Sequence, residues 1–285
     1  MLTLIAANVV VVAGKGGVGK TTVTAVIARA AADTGRRVLA VELDGKPLLA
    51  DLVPGIEVRA IAASDALDEY LREKGFTRVA KRLASSGVID VISTAAPGID
   101  DIVVLGKIKQ LERSGQWDLI VVDGPAAGHA VTFLTSAKGM LDAVRGGPVY
   151  AQAQDVMELL GDPERCQVVL VTLPETTPVN EVIETTATLV DRVGVRLGPI
   201  VINEVDTRTA VPDPTTMTLG RGADAKALRA AAVFRRARRT MQDAEIVRLE
   251  QSVTSPVIEL VLLPVAGLTA EHIATLAASL SADTP

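Results

Sequence analysis

The stretch Gly14-Lys15-Gly16-Gly17-Val18-Gly19-Lys20-Thr21-Thr22 fills every fixed position of the pattern G-x-x-x-x-G-K-[ST]. Its glycines allow a turn so tight that successive amide N–H groups point into one concavity, and the helix that follows adds its positive N-terminal end. Such a loop holds phosphate. Lys20 is spaced to reach the β- and γ-phosphates of a nucleotide, and the Thr21 hydroxyl to take one coordination site on Mg²⁺. The flanks agree with this reading. Residues 8–13, NVVVVA, form an apolar, β-branched run suited to a buried parallel strand, and residues 21–32 are alanine-rich and helix-forming. The alternative is an ordinary glycine turn between a strand and a helix.

Composition narrows the rest. The chain has 285 residues, 48% of them hydrophobic but only 2% aromatic, so Val, Leu, Ile and Ala must pack the core. One cysteine, Cys166, and two histidines exclude an internal disulfide framework and argue against a Cys- or His-rich metal site. A net charge of −5 argues against general nucleic-acid binding by bulk charge. No apolar run approaches the roughly 18 residues that span a bilayer, and no basic leader precedes the first strand, so a cytoplasmic location is expected.

The elements in order predict a doubly wound, mostly parallel α/β sheet in a single domain over 1–285, with helical elements near 64–115, 130–161 and 223–251. A second strand, 38–43, ends at Asp44. In such sheets ligands bind beyond the carboxyl ends of the strands, so Asp44 faces the nucleotide and is the candidate to orient the attacking water; the alternative is a turn-forming aspartate before Gly45. Residues 65–84 predict a helix pair broken at Gly75, 88–92 a short strand, and 102–111 an amphipathic helix with Lys107 and Lys109 in solvent. The strand 118–123 ends in Asp123, which has the form of a Walker B carboxylate that positions Mg²⁺ directly or through water. Helices are expected over 130–144 and 148–160, then a strand at 167–172 and a helix from Val179 carrying Glu181 and Glu184. The strand 198–203 ends in Asn203, whose amide both donates and accepts, matching N6 and N7 of adenine; an Asx turn is the alternative. Residues 207–222 predict a loop, and 223–250 a long helix with Lys226, Arg229, Arg235, Arg236, Arg238 and Arg239. That basic run is either a solvated face or a docking site for an acidic protein or a membrane-associated partner. Pro264, which ends the strand 257–263, is counted among the nucleotide contacts, and Thr269 is expected to cap the last helix.

Lys15 is not needed to cradle the loop's own phosphates. The spacing G-K-G-G-V-G-K-T-T resembles the deviant P-loop of the ATPases that serve chromosome partitioning, division-site selection, nitrogenase reduction, arsenical pumping and tail-anchored-protein targeting. The resemblance implies that Lys15 crosses a dimer interface to the partner's nucleotide, as an arginine finger does; a solvated loop lysine is the alternative. D-G-P-A-A-G-H at 123–129 resembles the second switch of the arsenical-pump and targeting ATPases, implying a hinge at Gly128 and a relay through His129; a helix-start histidine satisfied by backbone is the alternative at 129. The strand, Pro174-Glu175 and the acidic helix after them are similar to the same family, which implies a place beside the nucleotide pocket, with simple strand termination as the alternative for Pro174; the asparagine at Asn203 is similar too. Here the first switch reads D-G-K-P-L-L and lacks the family's histidine, and a single cysteine rules out a C-x-x-C zinc clasp and a three-thiol metalloid site. The expectation is therefore a Mg²⁺- and ATP-dependent hydrolase, working as a homodimer or as a heterodimer with a related ATPase. A nucleotide-dependent scaffold with little turnover, and a partitioning-type ATPase, remain as alternatives.

Overall fold

Val9, Val10, Val11 and Val12 are all fully or nearly fully buried, and alternate members of the run enter two different cores. That is why the segment is apolar throughout: a strand in the middle of a parallel sheet has helices on both faces. The computed structural model describes residues 5–43, 48–73, 98–125, 128–208 and 223–282. Strand β1 (Val9–Gly14) pairs with β4 (Leu119–Asp123) on one side and β5 (Cys166–Thr172) on the other. Beyond these lie β2 (Val38–Glu42) and β3 (Glu57–Ala60) in one direction, β6 (Leu197–Val205) and β7 (Val257–Val261) in the other. The seven strands run in the order β3-β2-β4-β1-β5-β6-β7, and every described pairing is parallel. The chain has an α/β P-loop NTPase-like fold.

Helices α1 (Lys20–Asp33), α2 (Leu49–Leu52) and α9 (Ala270–Ala282) cover one face of the sheet. The other face is covered by α3 (Ala63–Glu73), α4 (Ile99–Arg113), α5 (Gly128–Ala143), α6 (Pro148–Gly161), α7 (Thr176–Val193) and the C-terminal part of α8 (Ala223–Ser252). α1 buries Val23, Ala25, Val26, Ile27, Ala28, Ala30 and Ala31, an almost all-round apolar surface, because it is held between the sheet and α9. α9 begins at the expected cap. The Thr269 N–H donates to Nδ1 of His272 at 3.1 Å, so a histidine occupies the position that glutamate takes in a capping box.

One expectation is corrected here. Lys109 does not lie in solvent: it is 3% exposed. α4 packs against α3, α5 and α6 as well as the sheet, leaving no solvent stripe where position 109 falls. The Nζ of Lys109 donates to the Asp155 carbonyl at 2.7 Å and its carboxylate at 3.0 Å, and pairs with Glu158 at 3.2 Å, so the charge is compensated at the far end of an apolar stem. Lys107 is half-buried and donates to Glu69 and Gln110. The sequence pattern could not separate these two lysines from solvated ones because their acids lie up to 49 residues away. The second half of the helix pair at 65–84 and the strand at 88–92 lie outside the described residues.

Burial also settles the one thiol. Cys166 opens β5 with no solvent access, and desolvation pushes its pKa up to about 12, which keeps it a protonated packing group. α4 supplies the clearest stability test. Leu105 is fully buried between α4's neighbours and the sheet, so Leu105→Ala is expected to cost about 2–5 kcal/mol of unfolding free energy, read from the urea midpoint.

Candidate nucleotide site

The loop after β1 opens at the C-terminal rim of the sheet, where β1 has β4 on one side and β5 on the other. This is the crevice at which the strand order reverses, and it is where open α/β sheets bind ligands. Two glycines are demanded by geometry. Gly14, at φ 155°, abuts the Val171 carbonyl of β5 so closely that a Cβ would overlap it. Gly19 stands at φ 87° as the N-cap of α1, and a Cβ there would overlap the Asn203 amide. Gly16 and Gly17 form the turn between them, and no atom within 4 Å fills the space a Cβ would occupy at Gly17. The loop is thus tightly backed at Gly14 and Gly19 and unobstructed at Gly17. Val18 is buried beneath it, and Lys20 begins α1, its Nζ 3.3 Å from the Lys15 carbonyl. Thr22, in the first turn of the helix, is half-buried.

β4 brings the second component. In the sheet register Asp123 stands beside Val12 of β1 and Glu42 of β2, so the carboxylates of Asp123 and Glu42 share the rim next to the loop. The Thr21 hydroxyl donates to Asp123 Oδ2 at 2.6 Å, and the Thr24 hydroxyl, one helical turn on, reaches Oδ1 at 3.4 Å. Burial raises the Asp123 pKa, and the nearby Glu42 pushes the same way; the Thr21 and Thr24 hydrogen bonds and the Lys20 charge oppose it. Glu42 itself is 6% exposed and accepts the Leu49 N–H at 2.7 Å, which ties the first turn of α2 to the rim.

β6 contributes Asn203 through an irregularity. The β6–β7 register shifts between Ile202 and Val205, and Glu204 has φ 61°, the one described non-glycine residue with positive φ. A bulge of this kind re-aims a side chain. Asn203 is 4% exposed and its Nδ2 donates to the Val18 carbonyl at 3.0 Å, so its amide buttresses the phosphate loop from below. Pro264 is exposed in a turn just past β7, with the Val265 N–H bonded to the Leu263 carbonyl at 2.9 Å. It shares the strand-end rim with Asn203.

Lys15 is found paired within its own chain. Its ammonium binds Glu181 in the second turn of α7, with side chains 36% and 42% exposed respectively. Gly14, Lys15, Pro178, Glu181 and Val182 line a small cleft between the loop and α7. Asp44 lies outside the described residues, as do residues 126 and 127 of the second switch; Gly128 and His129 open α5, where the backbone alone is described. Thr24 and Glu42 were not singled out for the site in the sequence, and Glu181 was named only as part of the acidic helix that the family resemblance sets beside the pocket. Thr24 carries a legible signal, since it is three residues after Thr21 and so shares its helix face. Glu181 carries none, because its meeting with Lys15 spans 166 residues.

The donor set suits a magnesium nucleotide. A threonine hydroxyl and a carboxylate are hard oxygen donors of the kind Mg²⁺ takes, one or two from protein with the remainder from phosphate and water. Among the described residues no cluster of three or more His, Cys, Asp or Glu could hold a metal alone. The unobstructed turn at Gly17 and the adjacent helix N-terminus are suited to phosphate.

Fold and site together define a P-loop nucleoside-triphosphatase architecture. Residues 7–146 match the model of the anion-transporting ATPase family. It is 34% identical over 217 residues to the ATPase BagA of Mycobacterium tuberculosis, an alignment that takes in 67% of this chain and 63% of that protein. It is 32% identical over 218 residues to an arsenical pump-driving ATPase of Escherichia coli, covering 71% of this chain and 36% of that one. An arsenical pump-driving ATPase of Acidiphilium multivorum is 31% identical over the same length, with the same two coverages. The chain therefore spans less than two thirds of the length of these relatives.

Proposed function

We propose that this protein hydrolyses ATP in a Mg²⁺-dependent reaction at the interface of a nucleotide-sandwich dimer, and that the switch segments convert turnover into movement of a partner. The observation that carries the reading is the Thr21–Asp123 contact directly behind an open phosphate loop. In this reading the loop amides and Lys20 hold the β- and γ-phosphates. Thr21 ligates Mg²⁺, and Asp123 holds it directly or through water. The ion supplies charge neutralisation between the phosphates when bound. Asp44, two residues beyond Glu42, orients the attacking water. Asn203 and Pro264 lie on the rim where the base would rest, and the asparagine offers the adenine edge a donor and an acceptor. Lys15 acts from the opposing subunit.

The family and the relatives' names support ATP as the nucleotide. The dimer forms from two copies of this chain or from this chain and a related ATPase. The test is the steady-state phosphate release rate with Mg²⁺–ATP, set against Lys20→Ala and against ATP with excess chelator. Turnover lost in both controls supports the reading. Tight ATP binding with negligible turnover at every protein concentration, alone or with a related ATPase, would overturn it in favour of a nucleotide-dependent scaffold.

A further inference from the structure

α8 carries two faces, and its inner one packs against the described core. Ala232, Gln242, Ile246 and Leu249 are buried along the inner side, joined there by Arg235, which pairs with Asp206 at 2.8 Å, and by Arg239, which donates to the Arg208 carbonyl at 2.5 Å. The outer side repeats at helical spacing through Lys226, Ala230, Val233, Ala237, Met241, Ala244 and Val247, every one exposed. Phe234 flanks this row at 68% exposure, with Met241 at 63%, Val233 at 55% and Val247 at 50%. Arg229 and Arg236, both exposed, edge its other side. No acid occurs between Asp224 and Asp243, while Lys226, Arg229, Arg235, Arg236, Arg238 and Arg239 fall within that interval. A chain of net charge −5 thus places Lys226, Arg229 and Arg236 beside large apolar side chains on one outward helix face.

We infer that the outer face of α8 docks on an anionic lipid surface. An interfacial helix needs apolar groups that enter the acyl boundary, cations beside them for the headgroups, and no acid among them; residues 225–242 of this face meet all three conditions. A nucleic-acid ligand would use the cations but give no role to Phe234 or Met241. A two-fold pairing of this face with a second copy would bring Arg236, near its middle, against its own counterpart. No described helix is long and apolar enough to cross a membrane, and peripheral docking requires none. The inference goes beyond the proposed hydrolysis and does not depend on it.

The experiment is co-sedimentation of the full chain, without nucleotide, with vesicles of phosphatidylcholine alone or with about one third phosphatidylglycerol, at low and at physiological salt. Binding is expected to the anionic vesicles, weakened by salt and reduced about tenfold or more by Arg229→Glu/Arg236→Glu and by Phe234→Asp/Met241→Asp. Both variants should keep wild-type helical content and ATP binding, which shows that loss of docking is not loss of fold. Equal binding to neutral vesicles, no binding to anionic vesicles at low salt, or variants that bind like wild type would each overturn the proposal. Self-association removed by Phe234→Asp, in the absence of vesicle binding, would assign the face to a second copy instead. Because no nucleotide is present, none of these outcomes bears on the ATPase reading.

Discussion

Replacing Lys15 with alanine is expected to lower the ATPase rate per subunit by about a thousandfold, the low end of what a cationic finger contributes to phosphoryl transfer. ATP affinity of the isolated subunit should change little, because Lys20 and the loop amides hold the nucleotide within one chain. The wild-type rate per subunit should climb with protein concentration, as it must if the effective cation arrives from another subunit. The ion pair with Glu181 sharpens this prediction. Both side chains are more than a third exposed, so the pair contributes on the order of 0.5–1 kcal/mol at most. A latch that weak holds Lys15 within its own subunit at low concentration and yields readily to a partner's γ-phosphate. Glu181→Gln should therefore shift the concentration for half-maximal rate downward by about two- to fivefold without raising the plateau. A concentration-independent rate that Lys15→Ala leaves intact would refute the sandwich mechanism.

The second large effect is expected at Asp123. Asp123→Asn should reduce Mg²⁺-dependent turnover by about a hundredfold or more, since metal neutralisation of phosphate charge is worth several kcal/mol. The same substitution should not destabilise the apoprotein. A carboxyl whose folded-state pKa is raised is easier to ionise in the unfolded chain, so its ionisation weakens the fold. That penalty is absent below the ordinary value of 3.8, grows as pH rises through the interval up to the raised value, and then stays constant. Asparagine removes the penalty and keeps an oxygen to accept from Thr21. Thermal midpoints of the nucleotide-free variant at pH 7 should therefore equal or exceed wild type, while activity falls. The Mg²⁺ requirement of the wild type should also rise as pH drops, beginning above the pH at which an ordinary carboxylate protonates, because the ion and the proton compete for one group. A variant with a depressed midpoint and normal activity would reverse the assignment and make Asp123 a structural acid.

The opposite pattern holds at the surface. Arg37 binds Asp118 through both carboxylate oxygens at 2.6 and 3.1 Å and holds the Asp118 pKa down at about 2. This stabilisation is present above the ordinary carboxylate value and is lost as pH falls toward 2; with the two side chains 59% and 41% exposed it stays small.

The sequence alone determined the parts of this protein whose chemistry is local. The phosphate loop, the apolar run of β1 and the helix after it occupy adjacent residues, so glycine spacing and hydrophobic pattern specify them together. The same is true of the strand ending in Asp123, and of Thr269 at the last helix, where the cap and its partner are three residues apart. Tertiary structure alone decided what depends on residues distant in the chain. Lys109 reads as a surface lysine until α6 supplies Asp155 and Glu158. Asn203 gives no sign in the sequence that its amide also supports the phosphate loop, a contact that the bulge at Glu204 brings about by turning Nδ2 onto the Val18 carbonyl. The basic run of α8 reads as one stripe until Asp206 draws Arg235 inward and leaves Phe234 and Met241 facing out. Periodicity records which residues share a face of their own element, whereas the partner of that face is chosen by packing, and packing joins residues that the sequence keeps far apart.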